Sequence, residues 1–207
     1  MPLAGGTLGR HRHICAFFNT FDEEHRVLRS FFKDGFDRGD KAIHIVESKN
    51  REEYLKGFTD GGIDVQDVIE TGRLEVLPWT DAYVRDQRFD QDAMLATVES
   101  LIQSGAAAGY ARTRLVGHHM DWLFSDKPAV NNLLEYEARL NGVLSKYDDP
   151  VICNYDLSKF GASVAIEIMR THPLVIIGGL LRENPFFVPP DQLLEEMRRK
   201  RAGDTEA

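Results

Sequence analysis

The chain has 207 residues, of which 43% are hydrophobic, and its formal net charge is −8. A chain of this length buries most of the surface that it exposes when unfolded, so it needs no disulfide to fold, and its acidic balance argues against nucleic acid as a direct partner. It contains no apolar run of about 20 residues that could cross a membrane, and its first residues lack the apolar core of a signal peptide. We therefore expect a cytoplasmic protein with reduced thiols.

Short apolar runs alternate with longer amphipathic segments along the chain. The first run, HICAFF at 13–18, predicts a strand, and Thr20 and Glu23 then have the capping-box spacing that begins a helix. Further strands are predicted at 41–47, 73–79, 114–122 (running into a loop), 151–156 and 174–179. Helical patterns fill most of the intervals, at 50–62, 90–105, 130–147 and 157–172.

This alternation predicts a three-layer α/β fold with a mainly parallel central sheet flanked by helices. We expect one domain at 11–190, preceded by a flexible tail at 1–10 and followed by a C-terminal helix and tail at 191–207. The basic cluster RRKR (198–201) is expected to lie at the end of that helix rather than to bind nucleic acid, because cations suit a helix C-terminus.

Acidic and aromatic residues follow several of the predicted strands. Folds of this class bind ligands in the crevice beyond the carboxyl ends of the strands, so we expect these side chains to gather around one shared cavity there. The candidate ligand contacts at this rim are Glu47, Trp79, His119, Asp121, Trp122, Tyr155 and Asp156. For Asp156, capping of the following helix is the competing interpretation.

Two residues of the predicted core carry reactive groups. Glu137 falls inside the apolar stripe of the helix at 130–147, and a carboxylate turned toward a core must be paired, so we expect Arg112, Arg114 or a tyrosine beside it. Cys153 is interpreted as a small buried hydrophobe rather than a nucleophile, since no neighbouring cation is identified that would stabilise its thiolate.

The histidines raise the question of a metal. His13 and His172 begin their strands, so we expect them at the opposite end of the sheet from the rim. A site built from His13, Cys15, Cys153 and His172 would need ligands from both ends of strands to meet, and it matches no recognised ligand spacing. We expect neither a metal nor another cofactor.

The common enzyme motifs are absent. The chain has no phosphate-binding G-x-x-x-x-G-K-[ST] loop, no G-x-G-x-x-G fingerprint and no G-x-S-x-G elbow. The first helix instead begins with NTFDEEH, whose acids would repel phosphates. No catalytic residue is predicted.

Seven short motifs, taken in order, resemble one known family. They are HIC (13–15), GRLEV (72–76), MDWL (120–123), YEARLN (136–141), CNYD (153–156), HP (172–173) and NPFF (184–187). Their order and spacing are similar to those of the MEDS domain, the methanogen/methylotroph DcmR-type sensory domain, over roughly residues 11–190. The resemblance implies a RecA/KaiC-like domain without a phosphate-binding loop that senses small organic compounds. The positions that match the family's polar and aromatic residues are His13, Trp122, Glu137, Cys153, Tyr155 and Asp156.

The leading hypothesis is a non-catalytic sensor in signal transduction or transcription regulation. It would bind an organic ligand at the rim and act through a partner protein of the regulator, kinase or anti-sigma type, because no output domain is present in this sequence. One alternative is an enzyme or nucleotide-binding protein that uses Glu47, Asp121 and His119 at the same rim. Another is a purely protein-binding regulator that docks through LLRENPFFVPP (180–190). Formation of a homo-oligomer is left open.

Overall fold

The computed structural model describes residues 1–82, 84–85, 88–118, 124 and 127–205. Within these ranges the strands are β1 (Pro2–Leu3), β2 (Gly6–Thr7), β3 (His13–Phe18), β4 (Lys41–Val46), β5 (Leu74–Pro78), β6 (Val84–Arg85), β7 (Arg88–Phe89), β8 (Thr113–His118), β9 (Val151–Asp156), β10 (Leu174–Ile177) and β11 (Leu180–Glu183). The helices are α1 (Phe21–Asp37), α2 (Arg51–Asp60), α3 (Val65–Glu70), α4 (Trp79–Ala82), α5 (Gln91–Ala107), α6 (Lys127–Leu144), α7 (Ala162–Thr171) and α8 (Pro190–Thr205), with a 3-10 turn at Ser48–Asn50.

The central sheet has the order β11-β10-β3-β9-β8-β4-β5. All neighbouring pairs are parallel except β10 with β11, which are antiparallel. Helices cover both faces of the sheet, and the expected mainly parallel, three-layer α/β fold is confirmed. The carboxyl ends of β3, β4, β5, β8 and β9 therefore lie along one edge, where the strand rule places a ligand.

Each central strand sends alternate side chains to opposite faces. In β3, Cys15 and Phe17 pack toward α5, α6 and α7, whereas Ile14 and Phe18 pack toward α1, α2 and α3. All six residues of β3 are buried, which is why the strand reads as a continuous apolar run without alternation.

The N-terminal segment differs from the sequence-based expectation, whereas the expected C-terminal helix is present as α8. Residues 1–10 were expected to be a loose tail, but β1 and β2 form a hairpin whose Leu3, together with Leu8, is buried. The amide of Leu181 donates to the carbonyl of Ala4 at 2.8 Å, so the hairpin is bonded to β11. At the other end, α8 packs against α6 and α7.

Strand β11 was not predicted, although the sequence contains its signal. Gly178 and Gly179 both have positive φ, 57° and 70°, as a two-residue type I′ hairpin turn requires. The chain therefore reverses after β10 instead of ending the sheet there. Among the described residues, no helix has both the length and the apolar character that a bilayer span requires.

Candidate functional site

A cavity of about 360 Å³ opens at the carboxyl ends of the strands, between the sheet and helices α1 and α2. We call it the rim cavity. Its aromatic walls are Phe18, Phe21, Tyr54 and Trp79, and its polar lining includes Glu24, Glu47, His118, Asn154 and Asp156. This size is at the lower end of small-molecule sites, and aromatic walls with a few convergent polar groups are typical of such sites.

The start of α1 positions one carboxylate of this cavity. The Thr20 side chain accepts from the Glu23 amide at 3.2 Å, and the Glu23 carboxylate accepts from the Asn19 amide at 3.2 Å, so both residues serve to begin the helix. The next residue, Glu24, lies on the cavity side and is 9% exposed. The Tyr54 hydroxyl of α2 donates to Glu24 Oε1.

Two histidines on neighbouring strands continue this polar network. His44 Nε2 lies 2.9 Å from His118 Nε2, and His118 Nε2 lies 3.1 Å from Glu24 Oε1. The Asn154 amide nitrogen lies 3.1 Å from the same His118 atom. The array thus joins β4, β8, β9 and α1 beside the cavity.

Burial controls the protonation of this network. Desolvation, with repulsion from His118 and His25, lowers the pKa of His44 well below its ordinary value, so His44 is neutral near pH 7. Desolvation and the nearby Glu24 raise the pKa of Tyr54, so its phenol stays a hydrogen-bond donor. The inner part of the cavity therefore has a neutral phenol, Tyr54, beside Glu24, and a neutral imidazole, His44, lies behind them.

The outer carboxylates are more exposed. Glu47 pairs with Lys49 at 2.9 Å, and its side chain is 44% exposed. Asp156 Oδ1 accepts from the Ser158 amide at 2.8 Å and so forms a turn. It does not cap the next helix, because α7 begins at Ala162 with Gly161 as its N-cap. Both carboxylates are accessible from the cavity opening.

A second polar cluster lies on the opposite face of the sheet, under α6. Glu137 is fully buried there, as its place in the apolar stripe predicts. Its Oε1 accepts from the Tyr155 hydroxyl at 2.7 Å, and its Oε2 lies 3.0 Å from His13 Nε2. A tyrosine was one of the expected partners. The expected alternatives are wrong, since Arg114 pairs with Asp34 and Asp40 and Arg112 pairs with Asp148.

The histidines and Cys153 also meet in this cluster, contrary to the expectation that they would lie too far apart. His13 and His172 have ring centroids 4.0 Å apart, because β10 runs parallel to β3 with Leu174 opposite Ile14. Cys153 Sγ lies 3.4 Å from His13 Nε2 and 3.4 Å from Glu137 Oε2. His13 and Cys153 share a sheet face, and the imidazole bridges the offset of two residues between them.

The cluster is fully desolvated, and its pKa values reflect this. Burial, with repulsion from His172, lowers the pKa of His13 to about 4 against the favourable effect of Glu137. Burial and the Glu137 carboxylate raise the pKa of both the Cys153 thiol and the Tyr155 phenol. A buried thiol with a raised pKa is a poor nucleophile.

The predicted site residues thus separate into two groups. Glu47, Trp79 and Asp156 line the rim cavity. His13, Glu137, Cys153 and Tyr155 belong to the buried cluster under α6. The expectation that Tyr155 lines the shared cavity is therefore wrong in position, because alternation along β9 turns it to the other face. His119, Asp121 and Trp122 lie outside the described residues.

Sequence reasoning missed the inner half of the rim cavity. Glu24, Tyr54 and Asn154 were not selected, because only residues that follow strands were considered. Glu24 and Tyr54 lie on helices, and Asn154 lies within β9. His118, which lies within the predicted strand at 114–122, was not selected either. The alternation of β8 was the available signal, because it places His118 on the same face as Val116, which packs toward α1 and α2.

Another cavity, of about 530 Å³, lies between α6, α7 and α8. Its lining includes Val130, Leu134, Val164 and Leu193, so its walls are more apolar than those of the rim cavity. It lies away from the carboxyl ends of the strands, where ligands of this fold class bind.

The fold and the rim cavity define a class of protein, a mainly parallel α/β domain with a cavity of small-molecule size at the carboxyl ends of its strands. The family model MEDS, described as the MEthanogen/methylotroph, DcmR Sensory domain, matches residues 12–173. The chain therefore belongs to the MEDS family, which is a family of sensory domains associated with signalling. A search among curated proteins finds no significant match.

Proposed function

We propose that this protein is a non-catalytic cytoplasmic sensor that binds a small organic molecule in the rim cavity and signals through a partner protein in signal transduction or transcription regulation. The observation that carries the proposal is the position of the cavity. In a chain of a sensory-domain family, a hollow of about 360 Å³ with aromatic walls lies at the edge where sheets of this class bind ligands.

The lining favours a neutral or cationic ligand. Three carboxylates, Glu24, Glu47 and Asp156, face the cavity together with two lysines, Lys49 and Lys159. Lys49 is paired with Glu47, and Lys159 balances at most one of the other two carboxylates, so the net charge of the lining is negative. A ligand with a hydrogen-bond donor or a positive group would complement that wall, and the aromatic residues would cover its apolar part.

The same lining disfavours a nucleotide phosphate. The first turn of α1, where a phosphate-binding loop would place its anion, carries Asp22, Glu23 and Glu24. Acids at a helix N-terminus occupy the position at which backbone amides would otherwise hold a phosphate. Nucleotide binding and hydrolysis are therefore the less favoured functions of this cavity.

Signalling requires that the ligand prefer one of two states of the domain. The cavity lies between separate elements, with α1 and α2 on one side and the ends of β8 and β9 on the other. A ligand that contacts both sides stabilises their closed arrangement, and the partner protein would recognise that state.

Thermal-shift screening tests the proposal directly. The protein is screened against small neutral and cationic organic compounds and against nucleotides, and we expect at least one organic compound to raise the melting temperature. Glu47→Gln and Trp79→Ala should reduce that shift, because a lost contact worth about 1.4 kcal/mol weakens binding tenfold. Glu52→Gln is the matched control, since it makes the same change on an exposed residue near the cavity that does not line it.

Three outcomes would overturn the proposal. The first is that no compound of a broad library raises the melting temperature. The second is nucleotide hydrolysis that disappears in Glu47→Gln, which would establish an enzyme. The third is a ligand-induced rise in melting temperature that remains in Glu47→Gln and Trp79→Ala but is lost in Val130→Trp, which would place the ligand between α6, α7 and α8.

A further inference from the structure

The buried cluster under α6 has a feature that the sensory function does not explain. Four side chains, His13, Glu137, Cys153 and His172, point their donor atoms at one another, and these atoms all lie within 4.8 Å. The side chains are 0–3% exposed, so no water reaches them from the surface. They come from β3, α6, β9 and the residue that follows α7.

The hydrogen bonds of His13 determine which of its nitrogens carries the proton. The Asn141 amide nitrogen donates to the carbonyls of Glu137 and Thr171 at 3.1 and 2.8 Å, so its oxygen must face His13. His13 Nδ1 lies 3.2 Å from that oxygen and therefore donates to it. In the neutral ring, Nε2 then presents a lone pair toward the carboxylate of Glu137.

His172 has the same arrangement. Its Nδ1 lies 2.7 Å from the Thr171 hydroxyl oxygen and 3.0 Å from the carbonyl of Ile168. The Thr171 hydroxyl donates to that same carbonyl at 2.7 Å, so both oxygens act as acceptors for Nδ1, which carries the proton. Its Nε2 is buried and has no hydrogen-bond partner among the described residues, although Glu137 Oε2 lies 3.4 Å away. The Nε2 lone pair of His172 therefore also faces the carboxylate.

Two imidazole lone pairs and a carboxylate oxygen thus converge with the sulfur of Cys153. The Cys153 thiol carries one proton, which it donates to Glu137 Oε2 at 3.4 Å, and that proton leaves the two imidazole lone pairs unsatisfied. A cation at their centre would satisfy all of them. From these contacts we propose that His13, Glu137, Cys153 and His172 form a closed four-coordinate site for a divalent transition metal of the zinc type.

The chemistry of the four ligands agrees with zinc. Thiolate, imidazole and carboxylate are its usual protein ligands, and bonds of about 2.0–2.3 Å in a tetrahedron separate the donor atoms by about 3.3–3.8 Å. The separations of Glu137 Oε2 from Cys153 Sγ and His172 Nε2, both 3.4 Å, fall in this range, and its separation from His13 Nε2, 3.0 Å, is slightly shorter. With the thiol ionised, two anionic ligands neutralise the dication, which a site without water requires.

The surrounding contacts match those of metal ligands in general. Histidines that bind metals usually donate their other ring N–H to an oxygen, as His13 does to Asn141 and His172 does to Ile168. Tyr155 donates to Glu137 Oε1 and leaves Oε2 directed at the centre. With four protein ligands and no open position, the site is structural rather than catalytic.

Cys15 provides the matched control. It is as buried as Cys153 and lies opposite it in the parallel register of β3 and β9. Its sulfur, however, donates to the carbonyl of Leu174 at 3.5 Å and is not part of the cluster. Cys15→Ser and Cys153→Ser therefore make the same chemical change in the same sheet layer, and only the second removes a proposed ligand.

The test measures metal content and cobalt spectra. Zinc is quantified in protein purified without chelator from zinc-supplemented cells, and in protein refolded with Zn²⁺ or Co²⁺ so that slow entry into a closed site does not hide binding. We expect a metal-to-protein ratio near unity and a cobalt spectrum with tetrahedral bands and a thiolate-to-metal charge-transfer band. Cys15→Ser should keep both, whereas Cys153→Ser should lose the charge-transfer band and bind at least about tenfold more weakly.

If Cys153→Ser does not fold, the wild-type cobalt spectrum alone still decides the question, because the charge-transfer band reports a thiolate ligand. Glu137→Gln, which keeps the shape of the side chain, gives a second comparison. Absence of metal from both preparations would overturn the proposal and indicate a protonated hydrogen-bond network. An octahedral cobalt spectrum without the thiolate band, or equal losses in Cys15→Ser and Cys153→Ser, would do the same.

Discussion

The hydrogen bond between Tyr155 and Glu137 allows a direct measurement of how strongly the buried cluster stabilises the fold. Tyr155→Phe removes one oxygen atom and keeps the ring in contact with Phe17 and His172, at centroid distances of 5.6 and 6.1 Å. Tyr155 and Glu137 are 1% and 0% exposed, so water cannot replace the lost donor.

The expected loss follows from the kind of bond that is removed. A hydrogen bond to a charged group contributes about 1.5–3 kcal/mol to the free energy of unfolding. For a chain of this size each kcal/mol changes the melting temperature by about 2–4 °C, so we expect Tyr155→Phe to lower it by about 3–12 °C. The assay is thermal and urea unfolding with a chelator present, so that wild type and variant are compared free of metal.

Tyr147→Phe is the control for this prediction. The Tyr147 hydroxyl makes the same kind of bond, to Glu99 Oε1 at 2.8 Å, but the Glu99 side chain is 30% exposed and water can take the place of the lost donor. We expect a loss below about 1 kcal/mol there. Equal losses in the two variants, or no measurable loss in Tyr155→Phe, would refute the argument that burial makes this bond strong.

Two further predictions concern the network behind the rim cavity. Because the folded state depresses the pKa of His44, the unfolded chain binds a proton below about pH 6.5 that the folded protein excludes. The free energy of unfolding should therefore fall on acidification, by up to about 1.4 kcal/mol per pH unit from this group. His44→Leu should remove that part of the pH dependence, as measured by urea unfolding at several pH values. An identical slope in the variant would show that His44 is not the excluded group. Gly57→Ala should destabilise the protein by about 1–3 kcal/mol, because the new Cβ would lie 2.2 Å from His25 Nε2. Gly142→Ala, in α6, is the control: no atom lies within 4 Å of its new Cβ, so it should stabilise the protein by about 0.5–1 kcal/mol. Thermal unfolding of both variants checks the pair, and the reverse order would contradict the packing described around His25.

The sequence predicted the fold well because the signals of a buried parallel sheet are local. Continuous apolar runs such as VIC (151–153) and LVII (174–177) can be placed without knowledge of their neighbours, and the alternation with helices leaves few topologies open. The hairpin of β1 and β2 was missed for a different reason. Its strands are two residues long, and they are held by contacts with β11 that only the folded chain brings together.

The candidate site was predicted only in part. The sequence shows where a residue lies relative to the end of its strand, but it does not show which residues of different elements come into contact. The end of a strand can be located along the chain, and Glu47, Trp79 and Asp156 do line the rim cavity. Contacts between side chains of different elements cannot be predicted from position along the chain. Tyr54 of α2 meets Glu24 of α1 across 30 residues, and neither residue follows a strand.

Strand β9 shows why position along a strand is not enough. Its residues alternate between the two polar sites, with Cys153 and Tyr155 under α6 and Asn154 and Asp156 at the rim cavity. The parallel register with β3 pairs Cys15 with Cys153 and thereby fixes both sets at once, since a slip of one residue would exchange the faces. The bonds of the buried cluster join β3, β9 and α6, so they favour the β3–β9 register that turns Asn154 to the face of the rim cavity. On that face the separate pairing of β8 with β9 places Asn154 opposite His118. For that reason the cluster contributes to the geometry of the rim cavity without any of its side chains lining it.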